Sequence, residues 1–169
     1  MKLLTLIRHA KSSWADASLE DFDRPLNPRG LRNAPEMARR LAARFDPPQR
    51  ILSSPARRAL HTAQIIAEHL QIPDRIDQDP RLYEAAPAEI LAALQDTPTH
   101  VEHQFLVGHN PGITAVAEQL TGEGLEDLPT CALAHIQLEL DDWSAAAWGC
   151  GTLVWIDFPK NKTGHVIEG

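Results

Sequence analysis

Three short segments of the chain place cationic or imidazole side chains directly after an apolar run. Arg8-His9 follows Leu3-Leu4-Thr5-Leu6-Ile7, Ser53-Ser54 and Arg57-Arg58 follow Gln49-Arg50-Ile51-Leu52, and His109 follows Gln104-Phe105-Leu106-Val107. Two imidazoles and two or three guanidiniums are thereby collected in a chain whose formal net charge is −7, from 16 Lys+Arg against 23 Asp+Glu. Like charges gathered against the global balance call for an anion among them. A phosphoryl group, with its three equatorial oxygens, suits several Arg donors best. Helix openings expected at Ser54-Pro55 and Asn110-Pro111 would add backbone N–H donors and favourable dipole ends.

The chemistry available to such a site narrows by elimination. The sequence holds no GxxxxGK[ST] and no GxGxxG phosphate loop. A thiol nucleophile needs Cys-x5-Arg, but Gln137 and Ile156 stand at that distance from Cys131 and Cys150, which read as reduced, core-filling thiols. Asp77-Gln78-Asp79 lacks the preceding buried strand of an aspartyl nucleophile and runs into Pro80-Arg81. Histidine remains. An imidazole nitrogen attacking phosphorus gives a phosphoramidate that water then cleaves, so one hard displacement becomes two easier ones. Arg8, Arg58 and His109 would neutralise the equatorial oxygens, and Glu84, in Leu82-Tyr83-Glu84-Ala85, is the candidate to protonate the leaving group. Lys11-Ser12-Ser13-Trp14 should line the pocket mouth, and Arg57 should reach solvent or an acidic neighbour. His100-x-x-His103 offers too few ligands for a metal. His61, His69, His135 and His165 read as surface or core residues, and Trp143, Trp148 and Trp155 as packing.

Positioning these groups requires an α/β fold. The apolar runs at 3–7, 49–52 and 104–107 suit strands buried on both faces. Asn27 with Pro28 predicts a helix start, followed by apolar residues at helical spacing to Phe45, with Pro35 kinking that helix or delaying its start. Ser54-Pro55 predicts a second helix to Leu70, residues 72–83 read as mostly irregular, Ala88 to Leu94 as helical, and Asn110-Pro111 as the cap of a helix to about Leu120. Ala132 to Leu140 and Thr152 to Phe158 alternate as an antiparallel pair of strands. The expected architecture is a three-layer α/β/α sandwich with a mostly parallel central sheet and an antiparallel edge, formed by residues 1–169 as one domain. Ligands of such sheets bind beyond the carboxyl ends of the strands, so the three segments should converge there.

At the level of motifs the resemblance becomes specific. Leu6-Ile7-Arg8-His9-Ala10-Lys11, Arg24-Pro25-Leu26-Asn27-Pro28-Arg29-Gly30, Ser53-Ser54-Pro55-Ala56-Arg57-Arg58-Ala59-Leu60-His61-Thr62-Ala63 and Leu106-Val107-Gly108-His109-Asn110-Pro111 occur in the order and spacing of the histidine phosphatase superfamily, with its phosphoglycerate mutase-like fold. Within it the chain most resembles the short SixA-type phosphohistidine phosphatase branch. The resemblance implies His9 as the phosphorylated nucleophile, Arg8, Arg58 and His109 as the phosphate pocket, and Glu84 as the acid; Lys11, Ser54 and Asn110 are further candidates to touch phosphate. It implies neither metal nor cofactor. Ala10 stands where Gly is usual, His61 where Gln is usual, and Lys11 where mutase-like members carry an acid.

The expected function is a metal-independent hydrolase of phosphohistidine on a partner protein, or alternatively of a small phosphorylated metabolite by the same mechanism. A mutase would need a lid to exclude water, which the short chain does not offer. A phosphate-binding module without turnover is the reading from another class. The acidic balance excludes a general nucleic-acid binder, no apolar run reaches the length of a membrane span, and a cytoplasmic monomer is expected.

Overall fold

The computed structural model describes residues 1–161; His165 lies outside the described residues. Ten main elements alternate along the chain: β1 (Lys2–Arg8), α1 (Pro28–Arg44), β2 (Arg50–Ser53), α2 (Arg57–His69), β3 (Ile76–Gln78), α3 (Pro87–Gln95), β4 (His103–Gly108), α4 (Gly112–Thr121), β5 (Leu133–Leu138) and β6 (Gly151–Asp157). The six strands form one sheet in the order β3-β2-β4-β1-β5-β6. β1, β2, β3 and β4 pair in parallel, while β5 runs antiparallel to both β1 and β6. This is the α/β sandwich the sequence predicts. The strand at 76–78 is a difference: its outer positions Asp77 and Gln78 are exposed, so a three-residue edge strand leaves no apolar period to read.

Each face of the sheet is buried by a pair of helices. Leu4 and Leu6 of β1 join Ile90, Leu94, Ile113, Val116 and Leu120 of α3 and α4, while Ile7 joins Ala34, Met37, Leu41, Ala59, Ala63 and Ile66 of α1 and α2. The alternation of β1 between the two cores follows from its period of two. At its centre Thr5 bonds the buried His103 (2.9 Å, Nε2) and His135 (2.9 Å, Nδ1), with Phe45 stacked on His135. Trp143 and Trp155 are buried, whereas Trp148 is 40% exposed and does not pack as expected. Cys131 is buried in the core beneath α1 and α2, its thiol pushed up to about 12 by burial, and Cys150 packs against the core beneath α3 and α4.

The helix starts matter most for the site. Asn27 caps α1 by accepting from the Gly30 N–H at 2.8 Å, which fixes the start at Pro28; of the two expectations for Pro35, a kink or a delayed start, the delay does not occur, and the helix runs on through it. Gly30 is needed there, because a Cβ would meet the Lys11 carbonyl oxygen at 2.2 Å. That contact, with Asn27 N–H donating to the Lys11 carbonyl and Ser13 N–H to the Pro25 carbonyl, fastens the segment after β1 onto the start of α1. Ser54 does not cap α2. Its N–H donates to the Val107 carbonyl as a continuation of β2 along β4, so the chain is still in the sheet at Ser54, and Ala56 occupies the cap position.

Candidate active site

Sheet register brings the three strand ends together. Arg8 pairs with Gly108 and Ser53 with Val107, so the residues that follow, His9, Ser54 and His109, emerge side by side at the carboxyl edge. The backbone of His9-Ala10 is fully engaged. His9 N–H donates to the Gly108 carbonyl, the His9 carbonyl accepts from Cys131 N–H, and Ala10 N–H donates to the Thr62 hydroxyl at 3.0 Å. The Ala10 carbonyl accepts from His9 Nδ1 at 2.7 Å. A carbonyl can only accept, so the ring hydrogen sits on Nδ1 and Nε2 carries the free lone pair. His9 is 7% exposed, and burial, joined by His109, Arg58 and Arg8 and only partly opposed by the Ala10 bond, lowers its pKa to about 3. It is a neutral imidazole with a defined tautomer.

Around it stand the other predicted groups. The His109 ring centroid lies 5.1 Å from that of His9. His109 Nε2 shares a hydrogen bond of 2.8 Å with Ser54 Oγ, and burial together with Arg58 lowers its pKa to about 4. Arg8 Nη1 donates to the Leu128 carbonyl at 2.8 Å, and the Asn110 amide donates to the same oxygen at 2.9 Å, tying two site residues to one loop. Asn110 Oδ1 accepts from both the N–H and the hydroxyl of Thr114, closing the start of α4. Arg8, His9, Lys11, Arg58, His109 and Asn110 all line one concavity of ≈ 230 Å³, with Ser12, Trp14, Arg24 and Thr130.

Three of the residues singled out in the sequence stand apart: Ser54 is fully buried and does not line the concavity, its hydroxyl bonded to His109 instead. Arg57 is exposed, 3.4 Å from the Asp23 carbonyl. Glu84 does not line the concavity; it is exposed on the turn after Tyr83, in the left-handed backbone region at φ 53°, one residue from a Tyr83 ring that meets His109 edge-on at 5.7 Å.

Asp21, Arg24 and Tyr83 belong to the site although the sequence reading gave none of them a role. Asp21 lies on a 3-10 turn (Asp21–Asp23) and its carboxylate accepts from Arg58 Nη2 (3.0 Å), Arg24 Nε (3.2 Å) and the Tyr83 hydroxyl (2.8 Å). Burial works against its charge, but these donors outweigh burial and hold its pKa at about 2. Arg24, 7% exposed, also donates to Ser12 Oγ at 2.7 Å, and Trp14 stacks on its guanidinium at 3.5 Å. The available signal was the arginine that opens the second quoted motif, Arg24-Pro25-Leu26.

Among the described residues four buried side-chain nitrogen or oxygen atoms have no hydrogen-bond partner, and three of them are Arg8 Nε, Arg58 Nε and His109 Nδ1. Buried donors in natural proteins are nearly always paired. Two unpaired guanidinium N–H groups and one unpaired imidazole nitrogen, all on residues that line one pocket with His9, suit that pocket to an anion.

A model of the histidine phosphatase superfamily (branch 1) matches residues 4–91, the segment that contains Arg8, His9, Arg58 and Glu84. The chain belongs to the histidine phosphatase superfamily. Rv1276c of Mycobacterium tuberculosis, itself uncharacterized, is 30% identical over 164 residues, covering 91% of this chain and all of the relative. Two solved histidine phosphatases are close in structure. An Agrobacterium tumefaciens protein described as a candidate phosphohistidine phosphatase SixA shares 30% identity at a TM-score of 0.81, over 94% of this chain and 98% of its own. The protein histidine phosphatase SixA complexed with tungstate shares 27% identity at a TM-score of 0.80, over 93% and 97%. This histidine phosphatase accommodates its departures locally. Ala10 is fully buried and keeps a φ outside the left-handed region, so its methyl group fits. His61 faces a separate groove with Leu31, Pro35 and Ile65.

Proposed function

We propose that this chain is a metal-independent phosphatase acting through phospho-His9, with phosphohistidine on a partner protein as its substrate. The observation that carries the reading is the pairing of a neutral His9, free at Nε2, with the unpartnered nitrogens of Arg8, Arg58 and His109. In the first step His9 Nε2 attacks phosphorus and the bond to the substrate imidazole breaks; in the second, water attacks and the His9 Nε2–P bond breaks, releasing phosphate. Arg8 and Arg58 hold the equatorial oxygens throughout. When His109 Nε2 accepts the Ser54 hydroxyl hydrogen, its Nδ1–H joins them. The guanidiniums supply the positive charge that a metal supplies elsewhere. Glu84 donates the proton to the leaving group.

A protein substrate is supported by likeness to SixA across nearly the whole chain and by an open rim, where Lys11 is exposed and Trp14 is 75% exposed. An imidazole leaving group also demands little of a proton donor as exposed as Glu84.

The test is turnover of a phosphohistidine protein and a panel of phosphomonoesters by wild type and His9→Ala, in EDTA throughout. Release from phosphohistidine by wild type alone is the expected result. Preference for one small phosphate moves the substrate to metabolism, and loss of activity in EDTA with rescue by a divalent ion overturns the metal-free mechanism.

A further inference from the structure

A second cavity of ≈ 350 Å³ adjoins the phosphoryl pocket and shares Arg8, Lys11 and Thr130 with it; Arg29, Asn33, Pro129, Phe158, Pro159 and Lys160 complete its walls. Its charge is unlike that of the rest of the molecule. Most cations of this acidic chain are committed: Lys2, Arg24, Arg39, Arg40, Arg50, Arg58 and Arg81 pair with carboxylates, Arg44 lies over the Trp155 ring, and Arg57 and Arg75 donate to carbonyls. Among the described residues Lys11, Arg29, Arg32 and Lys160 have no such partner, and all but Arg32 line this one cavity. Among the described residues no carboxylate lines it.

The cavity is also built rather than incidental. Gly30 presses α1 against the Lys11 carbonyl, which sets Arg29 beside Lys11 at the helix start. On the far wall Arg40 Nη1 donates to Asp157 Oδ1 (3.0 Å), the Phe158 carbonyl (3.0 Å) and the Asn161 carbonyl (3.1 Å), pinning the chain after β6 that carries Lys160. Like charges held together on fixed backbone, without counter-charges, raise the local affinity for anions. The shared Arg8 and Lys11 make the two cavities one continuous cationic surface.

We propose that this cavity is a specificity subsite for a second anionic group, a carboxylate or phosphate borne by the leaving-group portion of the substrate. The proposal rests on the phosphatase reading and deepens it. The phosphoryl group enters the ≈ 230 Å³ pocket beside His9, and a second anion on the same substrate is held by Arg29 and Lys160 with help from the shared Lys11. Phe158 and Pro159 supply an apolar wall for the segment between the two anions. Substrates with one anion then bind through the phosphoryl pocket alone, and those with two are selected.

The experiment compares wild type, Arg29→Gln, Lys160→Gln and the double variant. The substrates are phenyl phosphate, two phosphohistidine peptides differing only in acidic or neutral flanking residues, and fructose 1,6-bisphosphate against fructose 6-phosphate. Phenyl phosphate kcat/KM should stay unchanged in every variant, which reports the phosphatase reading separately and controls for folding. Wild type should show a KM about tenfold lower for the more anionic member of one pair, with kcat unaltered, and the double variant should abolish that preference. The pair that shows it identifies the source of the anion, polypeptide or metabolite. Equal KM within both pairs, or a preference that survives in the double variant, overturns the subsite. If wild type turns over nothing, the phosphatase reading fails by itself. The same comparison of peptides by calorimetric binding to the His9→Ala protein, with and without the two Gln substitutions, then decides the subsite.

Discussion

Asp21 grips Arg58 twice, with its carboxylate accepting from Nη2 at 3.0 Å and its backbone carbonyl from Nη1 at 2.6 Å. Each terminal nitrogen thereby spends one N–H on Asp21, and the buried Nε has no hydrogen-bond partner. A guanidinium is a planar fork, so fixing two of its nitrogens fixes the plane of the third. In the proposed mechanism Asp21 would act on the phosphoryl group through Arg58, as a positioning residue.

Substituting Asp21→Ala should therefore lower kcat/KM by about 10- to 100-fold while leaving the nucleophile intact. Asp21→Asn, which retains an acceptor oxygen, should recover part of that loss. Tungstate affinity should weaken in the same order, and unchanged affinity in both variants would remove Asp21 from the site.

The acid limb of activity should lie well below the usual histidine range. With His9 lowered to about 3 and His109 to about 4, both imidazoles are neutral across the pH range where an ordinary histidine gains its proton. With phosphohistidine as substrate, which leans little on the Glu84 proton, and after correction for ionisation of the substrate, kcat/KM should be flat from pH 7 to about 5. An enzyme pKa near 6.5 in that profile would contradict the tautomer and burial assigned to His9.

Glu84→Gln should separate two classes of substrate. A phosphomonoester leaves as an alkoxide and needs its proton early, so hydrolysis should fall by about 100-fold; a phosphoramidate, whose imidazole is a better leaving group, should lose less than about threefold. Equal losses on both would mean that Glu84 is not the proton donor.

Stability should fall as the solution is acidified from neutrality. Burial lowers His103 to about 3 and His135 to about 4, as it does His9 and His109. The unfolded chain binds these protons near pH 6.5 and the folded one does not. The stabilisation is thus complete above pH 6.5 and is lost progressively as pH drops toward the folded values, by up to about 1.4 kcal/mol per pH unit for each histidine. Urea denaturation at pH 7.0, 6.0 and 5.0 should show the decline, and a His135→Gln variant should show a shallower one.

Groups placed at the ends of buried strands were legible in the sequence. Arg8, His9 and His109 follow apolar runs whose register forces them to one edge, and Arg58 sits in the first turn of a helix with a clear apolar period. Residues on turns were not. Asp21 and Tyr83 come from irregular segments without periodicity, and they join the site through a hydrogen bond spanning 62 positions that no local pattern announces. Ser54 was misassigned for a different reason: Ser-Pro is a helix-start signal, but the backbone of Ser54 remains bonded to β4, so its hydroxyl serves His109 and the nearby Ala56 N–H instead of capping α2.

His9 directly follows β1, a strand held on one side by β4 and on the other by β5, whereas Asp21 lies on a single 3-10 turn. Amide exchange should accordingly reach the Asp21 turn through local opening long before it reaches Ile7, whose release requires the middle of the sheet to part. The site is thus divided in time. His9 should be as permanent as the fold itself, while the clamp on Arg58 should open and close on the faster schedule of a surface turn.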